Sequence, residues 1–281
     1  MFYNSKQFSV KALFLVTGIL FFTATISIAQ CSVNNTVFNS GEEAYYQVYY
    51  HLGFIWLNAA GVSFKTEPLS YDGKKGFHFT SIGNTHPNYS WIYEVRDRFE
   101  SKADSATLNP IWFSKNTSEG GIQAYNRYVF DQKYSKIYTQ IKNGDEPMKA
   151  DTLLMKGCVF DLLTAIYACR NLNFENKRIN DTIPINLAIE DKIYPLHLRY
   201  LGKEEISTND SKRYRCQKFS ILLVEGTIFN GGEDMFVWVS DDKARVPIRI
   251  EAKILIGSIE ANLDNHKGNK WPITAIVNQE Q

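Results

Sequence analysis

The sequence predicts a mainly β protein, in which a large curved antiparallel sheet, half-barrel-like, wraps one central α-helix. Three observations predict this fold. Apolar and polar residues alternate with period two through most of the chain, aromatic residues make up 14% of it, and a single mid-chain segment has helical spacing. Short turns connect most of the alternating segments, so neighbouring strands are expected to pair antiparallel.

The clearest strand is Ala244–Ile256, in which every second residue is apolar and charged residues stand between them. Pro247 lies on its polar face and predicts a sheet edge or a bulge there. Trp91–Ser101 alternates in the same way, with Trp91 and Tyr93 on the apolar face. Further strands are predicted at Ala44–Tyr50, Ile55–Lys65, Phe77–Ile82, Tyr125–Phe130, Lys136–Ile141, Ile183–Ile189, Tyr194–Tyr200, Tyr214–Val224 and Met235–Val239.

The helix is predicted within Cys158–Asn173, where Phe160, Leu163 and Tyr167 recur at helical spacing. Asp161 falls in its predicted first turn, where a carboxylate suits the helix dipole. Because the segment is apolar around most of its circumference, we expect it to be largely buried against the sheet.

Residues 1–29 are typical of a secretory signal peptide. Lys6 and Lys11 precede the apolar run Ala12–Phe22, and small residues predict cleavage between Ala29 and Gln30. The remaining chain, 30–281, is then a single β-rich domain without a transmembrane segment. It is expected to be exported to the periplasm or the extracellular space and to be soluble there.

Two alternatives to cleavage remain open at the N-terminus. The segment Ala12–Ala29 is nearly long enough to span a bilayer, so it could stay as an anchor. The other alternative is lipidation of Cys31, although Gln30 stands where a lipoprotein signal has a small residue.

The four cysteines permit disulfides in an exported protein. Cys158 and Cys169 lie at opposite ends of the predicted helix, roughly 16 Å apart, which is too far for a disulfide. A bond between Cys169 and Cys216 and several buried free thiols are both compatible with the sequence. No CxxC motif indicates a zinc or redox site.

The sequence contains no motif that specifies a reaction. GxSxG, HExxH, GxGxxG, P-loop and EF-hand patterns are absent, and the formal net charge of +1 disfavours nucleic acid as a partner. We therefore predict no catalytic residue, cofactor or metal. An enzyme would need polar side chains that converge in a cleft around Asp97, His78 or His197.

Asp97 is unusual because it lies on the apolar face of its predicted strand. A buried carboxylate needs a partner or a shifted pKa. It is therefore either in a structural ion pair or backbone hydrogen bond, or at the floor of a ligand pocket, unless the predicted register is wrong.

Aromatic residues on both faces of Ala44–Tyr50 either cover other side chains or line a groove. The candidate ligand-binding residues are Tyr46, Tyr50, Asp97, Phe99, Phe160 and Tyr167.

Five short motifs, in this order, resemble the exported bacterial proteins of domain-of-unknown-function family 3108. The motifs are Gly41-Glu42 before an aromatic strand, Leu57-Asn58-Ala59-Ala60-Gly61, Val95 to Ser101, Asp161 to Tyr167 followed by Arg170, and Trp238 to Asp242 followed by Arg245-Val246-Pro247 and Gly257-Ser258. The resemblance covers roughly 37–263. It implies a β-rich exported domain with one central helix, and it implies no reaction.

Two non-enzymatic functions follow from this fold. A carrier of a lipid or another apolar or amphipathic ligand predicts an apolar cavity between helix and sheet. An envelope structural or assembly factor that binds another protein predicts a filled core and an exposed apolar patch. An enzyme of unrecognised type is the least favoured alternative.

Overall fold

The computed structural model describes residues 33–174, 176–209, 212–223 and 231–277. The predicted signal peptide, its cleavage site and Cys31 lie outside these residues. The described residues form one helix, α1 (Leu162–Arg170), between β9 and β10, and sixteen strands. The strands are β1 Glu43–Leu52, β2 Ile55–Tyr71, β3 Lys74–Thr85, β4 Val95–Asp104, β5 Pro110–Glu119, β6 Ile122–Asp131, β7 Lys136–Asn143, β8 Lys149–Leu154, β9 Val159–Phe160, β10 Thr182–Ile189, β11 Lys192–Ser207, β12 Arg213–Leu223, β13 Gly232–Ser240, β14 Pro247–Lys253, β15 Ser258–Lys267 and β16 Ile276–Val277. The helix α1 is too short to cross a membrane, and the described residues contain no other candidate span.

All of these strands belong to one sheet, in the order β8-β7-β6-β5-β4-β3-β2-β1-β15-β14-β13-β12-β11-β10-β9, with β16 beside β12. Strands β1 to β8 form one meander and β10 to β15 form another, with β9 beside β10. The two meanders join where β1 pairs antiparallel with β15. The predicted fold, one mainly antiparallel sheet with one helix, is confirmed. Among the described strands, β9 and β10 are the parallel exception.

The helix is shorter than predicted at both ends. Val159 and Phe160 pair with β10 as a strand, so the helix begins only at Leu162. Asp161 has extended backbone geometry and is the N-cap rather than a first-turn residue. Asn171 ends the helix as its C-cap. The predicted burial is confirmed, since six of its side chains are buried: Leu163, Thr164, Ala165, Tyr167, Ala168 and Arg170.

Two predicted strands begin later than their alternation indicates. β14 starts at Pro247, because the Asp242 carboxylate accepts hydrogen bonds from Ala244 and Arg245 and holds a turn before it. Pro247 pairs with Val239 at the point where the register between β13 and β14 shifts, so the bulge that was predicted there is present. β4 starts at Val95, so Trp91 lies in the preceding loop and is 81% exposed. The prediction that Trp91 belongs to the apolar face is wrong.

Side chains of α1 fill the space between the helix and the sheet. Tyr167 stacks on Phe79 with ring centroids 4.0 Å apart and contacts Phe38 at 4.9 Å, while Leu163 is 1% exposed. We call the face of the sheet that contacts α1 the inner face. A ligand between helix and sheet, which the carrier hypothesis predicts, would have to displace these rings.

The cysteines differ in their bonding. Cys158 is disulfide-bonded, whereas Cys169 and Cys216 are free thiols. The pairing of Cys169 with Cys216 that the sequence left open is therefore not formed. Burial raises the pKa of both free thiols to about 12, so neither is a reactive thiolate at neutral pH.

Candidate functional site

A buried ion pair fixes the C-terminal end of α1 to the sheet. The Arg170 guanidinium donates to both carboxylate oxygens of Glu42, and it also donates to the carbonyls of Ala244 and Arg245, each at 3.0 Å. His266 Nε2 lies 3.7 Å from the same carboxylate. Burial acts to raise the pKa of Glu42, but the neighbouring His266 and the charge and hydrogen bonds of Arg170 hold it below its usual range. One helix residue thus joins the segment before β1 to the segment before β14, and so connects the two meanders.

The N-terminal end of α1 is fixed by a fully buried carboxylate. Asp161 accepts from the backbone N–H groups of Leu163 and Thr164 at 3.0 Å, from Thr164 Oγ1 at 2.7 Å and from the hydroxyl of Ser101 in β4. Burial raises the pKa of Asp161 to about 6. The helix is therefore held at both ends and forms a fixed floor on the inner face.

Beyond this floor, half-buried apolar residues line the inner face. Alternate residues of a strand share a face, and the strand register places Val48 opposite Ala60 and Ala261, and Ile250 opposite Ala261 and Val237. We call this surface the apolar lining. Its members are Val48, Tyr50, Ala60, Val62, Ile221, Met235, Val237, Ile250, Ile259 and Ala261, all of them partly accessible to solvent. It crosses both meanders and the join between β1 and β15.

Asp97 stands at one side of the apolar lining. In the strand register Asp97 of β4 lies opposite Gly83 of β3, and Gly83 lies opposite Val62 of β2. A Cβ atom at Gly83 would lie 3.5 Å from Val62 Cγ2 and 3.9 Å from Asp97 Cβ, so the missing side chain leaves the carboxyl open toward the lining. Asp97 Oδ1 is buried and has no hydrogen-bond partner. The predicted inward orientation is correct.

The charges around Asp97 explain its protonation behaviour. Burial, and to a smaller extent the nearby charge of Glu119, raise the pKa of Asp97 to about 6, while Lys115 and a hydrogen bond from the Ser118 backbone act in the opposite direction. Asn126, opposite Lys115 on the same face, has a second buried acceptor atom without a partner, Oδ1. This side of the lining therefore has two buried acceptor atoms whose hydrogen-bonding capacity is unused.

Replacing Asp97 with asparagine is expected to stabilise the protein by about 1 kcal/mol at pH 7.5, a value reduced for solvent screening of a half-exposed group. The folded protein binds the Asp97 proton more tightly than the unfolded chain does, so wild-type stability falls as pH rises from about 4 to 6. The advantage of the variant should grow over that interval and vanish below pH 4. Urea unfolding at several pH values measures it. Asp161 titrates in both proteins and cancels, and a pH-independent difference would contradict the pKa shift.

The structure separates the six predicted ligand-binding residues. Tyr50 belongs to the apolar lining and Asp97 lies beside it. Tyr46, Phe160 and Tyr167 are buried in the filled core. Phe99 is partly buried and packs against two core clusters. Most of the lining was missed as a site, because an alternating strand looks the same whether its apolar face meets a helix or a cavity.

The histidines considered for an enzyme have different neighbours. His197 lies 2.8 Å from Glu233, a carboxylate that Arg199 also binds, and His78 lies 3.3 Å from Glu100. His51 stacks on Trp56 with centroids 3.5 Å apart. Within the described part of the chain, no three His, Cys, Asp or Glu side chains are placed to hold a metal ion.

Two shallow clefts lie on the outer face of the sheet. One of about 330 Å³ runs along β6 to β8 beside Val129, Tyr138 and Thr152. The other, of about 320 Å³, lies beside the stacked pair of His51 and Trp56. Both are open to solvent, and Asp97 lines neither of them.

The fold and the lining define a β-rich protein whose large antiparallel sheet is built around one helix. The chain belongs to the family described as protein of unknown function (DUF3108), whose sequence model matches residues 45–264. The resemblance inferred from its motifs is confirmed. Among curated proteins, none matches the sequence.

Among the solved structures with a similar fold is the crystal structure of a beta-barrel-like protein of domain of unknown function DUF1849 from Brucella abortus, with a TM-score of 0.52 and 7% sequence identity. The similarity covers 82% of this chain and 98% of that chain. At this identity the comparison supports the fold alone.

Proposed function

We propose that this protein is an exported, non-enzymatic carrier of an amphipathic ligand. The observation that carries the proposal is the apolar lining, which continues over strands of both meanders and stays partly accessible above the fixed helix. An apolar chain on this surface would gain about 25 cal/mol for each Å² removed from water. The ligand lies beyond α1 rather than between helix and sheet.

The polar end of the ligand is assigned to the side of the lining that holds Asp97. Asp97 and Asn126 each have an acceptor atom without a partner there, and Glu119 adds a second negative charge near Lys115. Unpaired buried acceptors favour a group that donates hydrogen bonds. An amine or hydroxyl head group fits this chemistry better than a carboxylate or a phosphate does.

Export is supported by two features of the chain. Residues 1–29 have the charged and apolar regions of a signal peptide, and Cys158 is disulfide-bonded, which is typical of an oxidising compartment. A periplasmic or extracellular location would place the carrier where apolar molecules must cross water.

Native mass spectrometry of gently purified protein, with organic extraction of bound molecules, tests the proposal. We expect a reproducible amphipathic molecule. The double variant Ile250→Gln and Val237→Gln should retain less than about a tenth of it, because two amides interrupt the centre of the lining. Ile82→Gln is the matched control, since Ile82 is also half-buried but lies on the outer face.

A clean ligand-free mass for the wild type would contradict the carrier, and equal ligand content in the lining variant and the control would contradict this location. The rival function, an envelope factor that binds another protein, is favoured by the filled interface around α1. It predicts a ligand-free mass together with a stable protein partner.

A further inference from the structure

Large apolar side chains are exposed on neighbouring turns at one end of the sheet. The turns β1–β2, β3–β4 and β14–β15 connect strands of the contiguous run β4-β3-β2-β1-β15-β14, and in an antiparallel sheet they lie at the same end. We call their most exposed large apolar residues the apolar rim: Phe54 at 99%, Trp56 at 56%, Trp91 at 81%, Ile92 at 59%, Leu255 at 58% and Ile256 at 66% exposure.

Two hydrogen bonds tie the turns of the rim to strands of the neighbouring hairpins. The Tyr50 hydroxyl donates to the Ile256 carbonyl at 3.0 Å, which joins the β14–β15 turn to β1. His86 N–H donates to the Ala59 carbonyl at 2.8 Å, which joins the β3–β4 loop to β2. Tyr50 is also a member of the apolar lining, so the rim borders the proposed ligand site.

The rim differs from two other exposed apolar residues, Tyr134 and Ile179. Tyr134 lies between Lys133 and Lys136, and Ile179 lies between Arg178 and Asp181, so charged side chains isolate each of them. Single exposed apolar residues are ordinary, whereas a contiguous group marks an interaction surface.

The charges around the rim indicate what it contacts. Residues 52–57, 86–93 and 254–257 contain no Asp, Glu, Lys or Arg. The charged side chains that flank them form neutral pairs, Arg96 with Glu94 at 2.7 Å and Lys253 with Asp234 at 3.2 Å. The surface matches a partner that is apolar inside and carries no net charge. An anionic surface would call for unpaired Lys or Arg here.

Resting on the proposed carrier function, we propose that the apolar rim inserts into the surface of a zwitterionic phospholipid bilayer and brings the mouth of the apolar lining to the lipid. Trp side chains favour the boundary between head groups and acyl chains, and the Phe, Leu and Ile side chains enter the outer part of the hydrocarbon. Side chains on the tips of turns reach a flat surface together without any change in the sheet.

Flotation of the protein with phosphatidylcholine vesicles tests this proposal. The triple variant Phe54→Ser, Trp91→Ser and Leu255→Ser should lower the vesicle-bound fraction at least about tenfold. The matched control, Tyr134→Ser, Leu154→Ser and Ile179→Ser, removes three other exposed apolar residues and should bind as the wild type does. All proteins are produced with the same N-terminal segment, so any contribution from it is common to them. Circular dichroism confirms that each variant folds.

Three results would overturn the proposal. They are wild-type protein that stays unbound at every lipid concentration, binding that requires anionic lipid, and equal loss in the rim variant and the control. A dimer that the rim variant abolishes, without vesicle binding, would assign the rim to a second copy instead. Measuring extracted ligand in the same preparations separates the two proposals. If ligand is extracted but the protein does not bind vesicles, only the carrier function is supported. If the protein binds vesicles but contains no ligand, only the membrane contact of the apolar rim is supported.

Discussion

Replacing Arg170 with methionine is expected to lower the free energy of unfolding by about 3–5 kcal/mol at pH 7, the largest effect of any substitution proposed for this protein. Methionine keeps much of the volume but leaves the Glu42 carboxylate buried without its bidentate partner. It also leaves the carbonyls of Ala244 and Arg245 without a donor. Removing one partner of a buried ion pair costs more free energy than the intact pair contributes to stability, because the other charge stays buried without a partner. Urea unfolding measures the difference.

The pH dependence identifies the cause. In the wild type the pKa of Glu42 is held below its usual value near 4.5, so the pair contributes fully above that pH and is lost as pH falls through the lowered pKa. Without Arg170 the carboxyl is expected to protonate more readily, so the deficit should shrink below about pH 5. Arg96→Met is the control, since its pair with Glu94 is exposed and should contribute at most about 1 kcal/mol. Equal losses in both variants would show that burial of the pair is irrelevant.

Replacing Asp161 with alanine is expected to cost about 3 kcal/mol. The variant loses the cap on the backbone N–H groups of Leu163 and Thr164, it leaves the buried Ser101 hydroxyl without its acceptor, and it leaves the Thr164 hydroxyl only the weaker bond to the Asp161 carbonyl at 3.3 Å. The first turn of α1 should then open more readily. Unfolding by urea gives the total cost, and hydrogen exchange at Leu163 and Thr164 locates it.

Asp161→Asn separates the hydrogen bonds from the charge. Asparagine caps helices about as well as aspartate, and burial already favours the neutral form of Asp161 by raising its pKa to about 6. We expect the asparagine variant to lose less than half as much stability as the alanine variant. A loss as large as that of alanine would mean that the negative charge itself holds the helix.

The sequence predicted the fold class because its signals are local. Alternation in Tyr194–Tyr200 and helical spacing at Leu163 and Tyr167 survive in the structure. β5, β8 and β15 were missed, since runs such as Asn116 to Glu119 have no alternating apolar face. The pairing of β1 with β15 could not be predicted, because period-two alternation gives a strand its faces and not its neighbours.

The candidate site could be predicted only in part. Asp97 was identified because a carboxylate on an apolar face is rare, but its opening toward Val62 depends on Gly83 in another strand. The pair of Glu42 with Arg170 joins residues 128 positions apart and leaves no local signal. The sequence does contain a local indication of the apolar rim. Leu52 to Leu57 is a glycine turn between large apolar residues without a charge, which is unusual for a hairpin.

The seam between β1 and β15 also determines the order in which the chain can fold. The Tyr46 hydroxyl donates to a carbonyl 201 residues further along, so this contact closes nearly the whole described chain into a loop. During synthesis, β1 emerges early and can pair with β2 at once, while its other edge stays unpaired until β15, in the last long hairpin, is available. β1 contains tyrosines and no proline, and an unpaired strand edge of this kind can pair with other chains and aggregate. The pairing at the centre of the finished sheet is thus the last to form. A chaperone that covers β1 until β15 has been made would prevent aggregation through this edge.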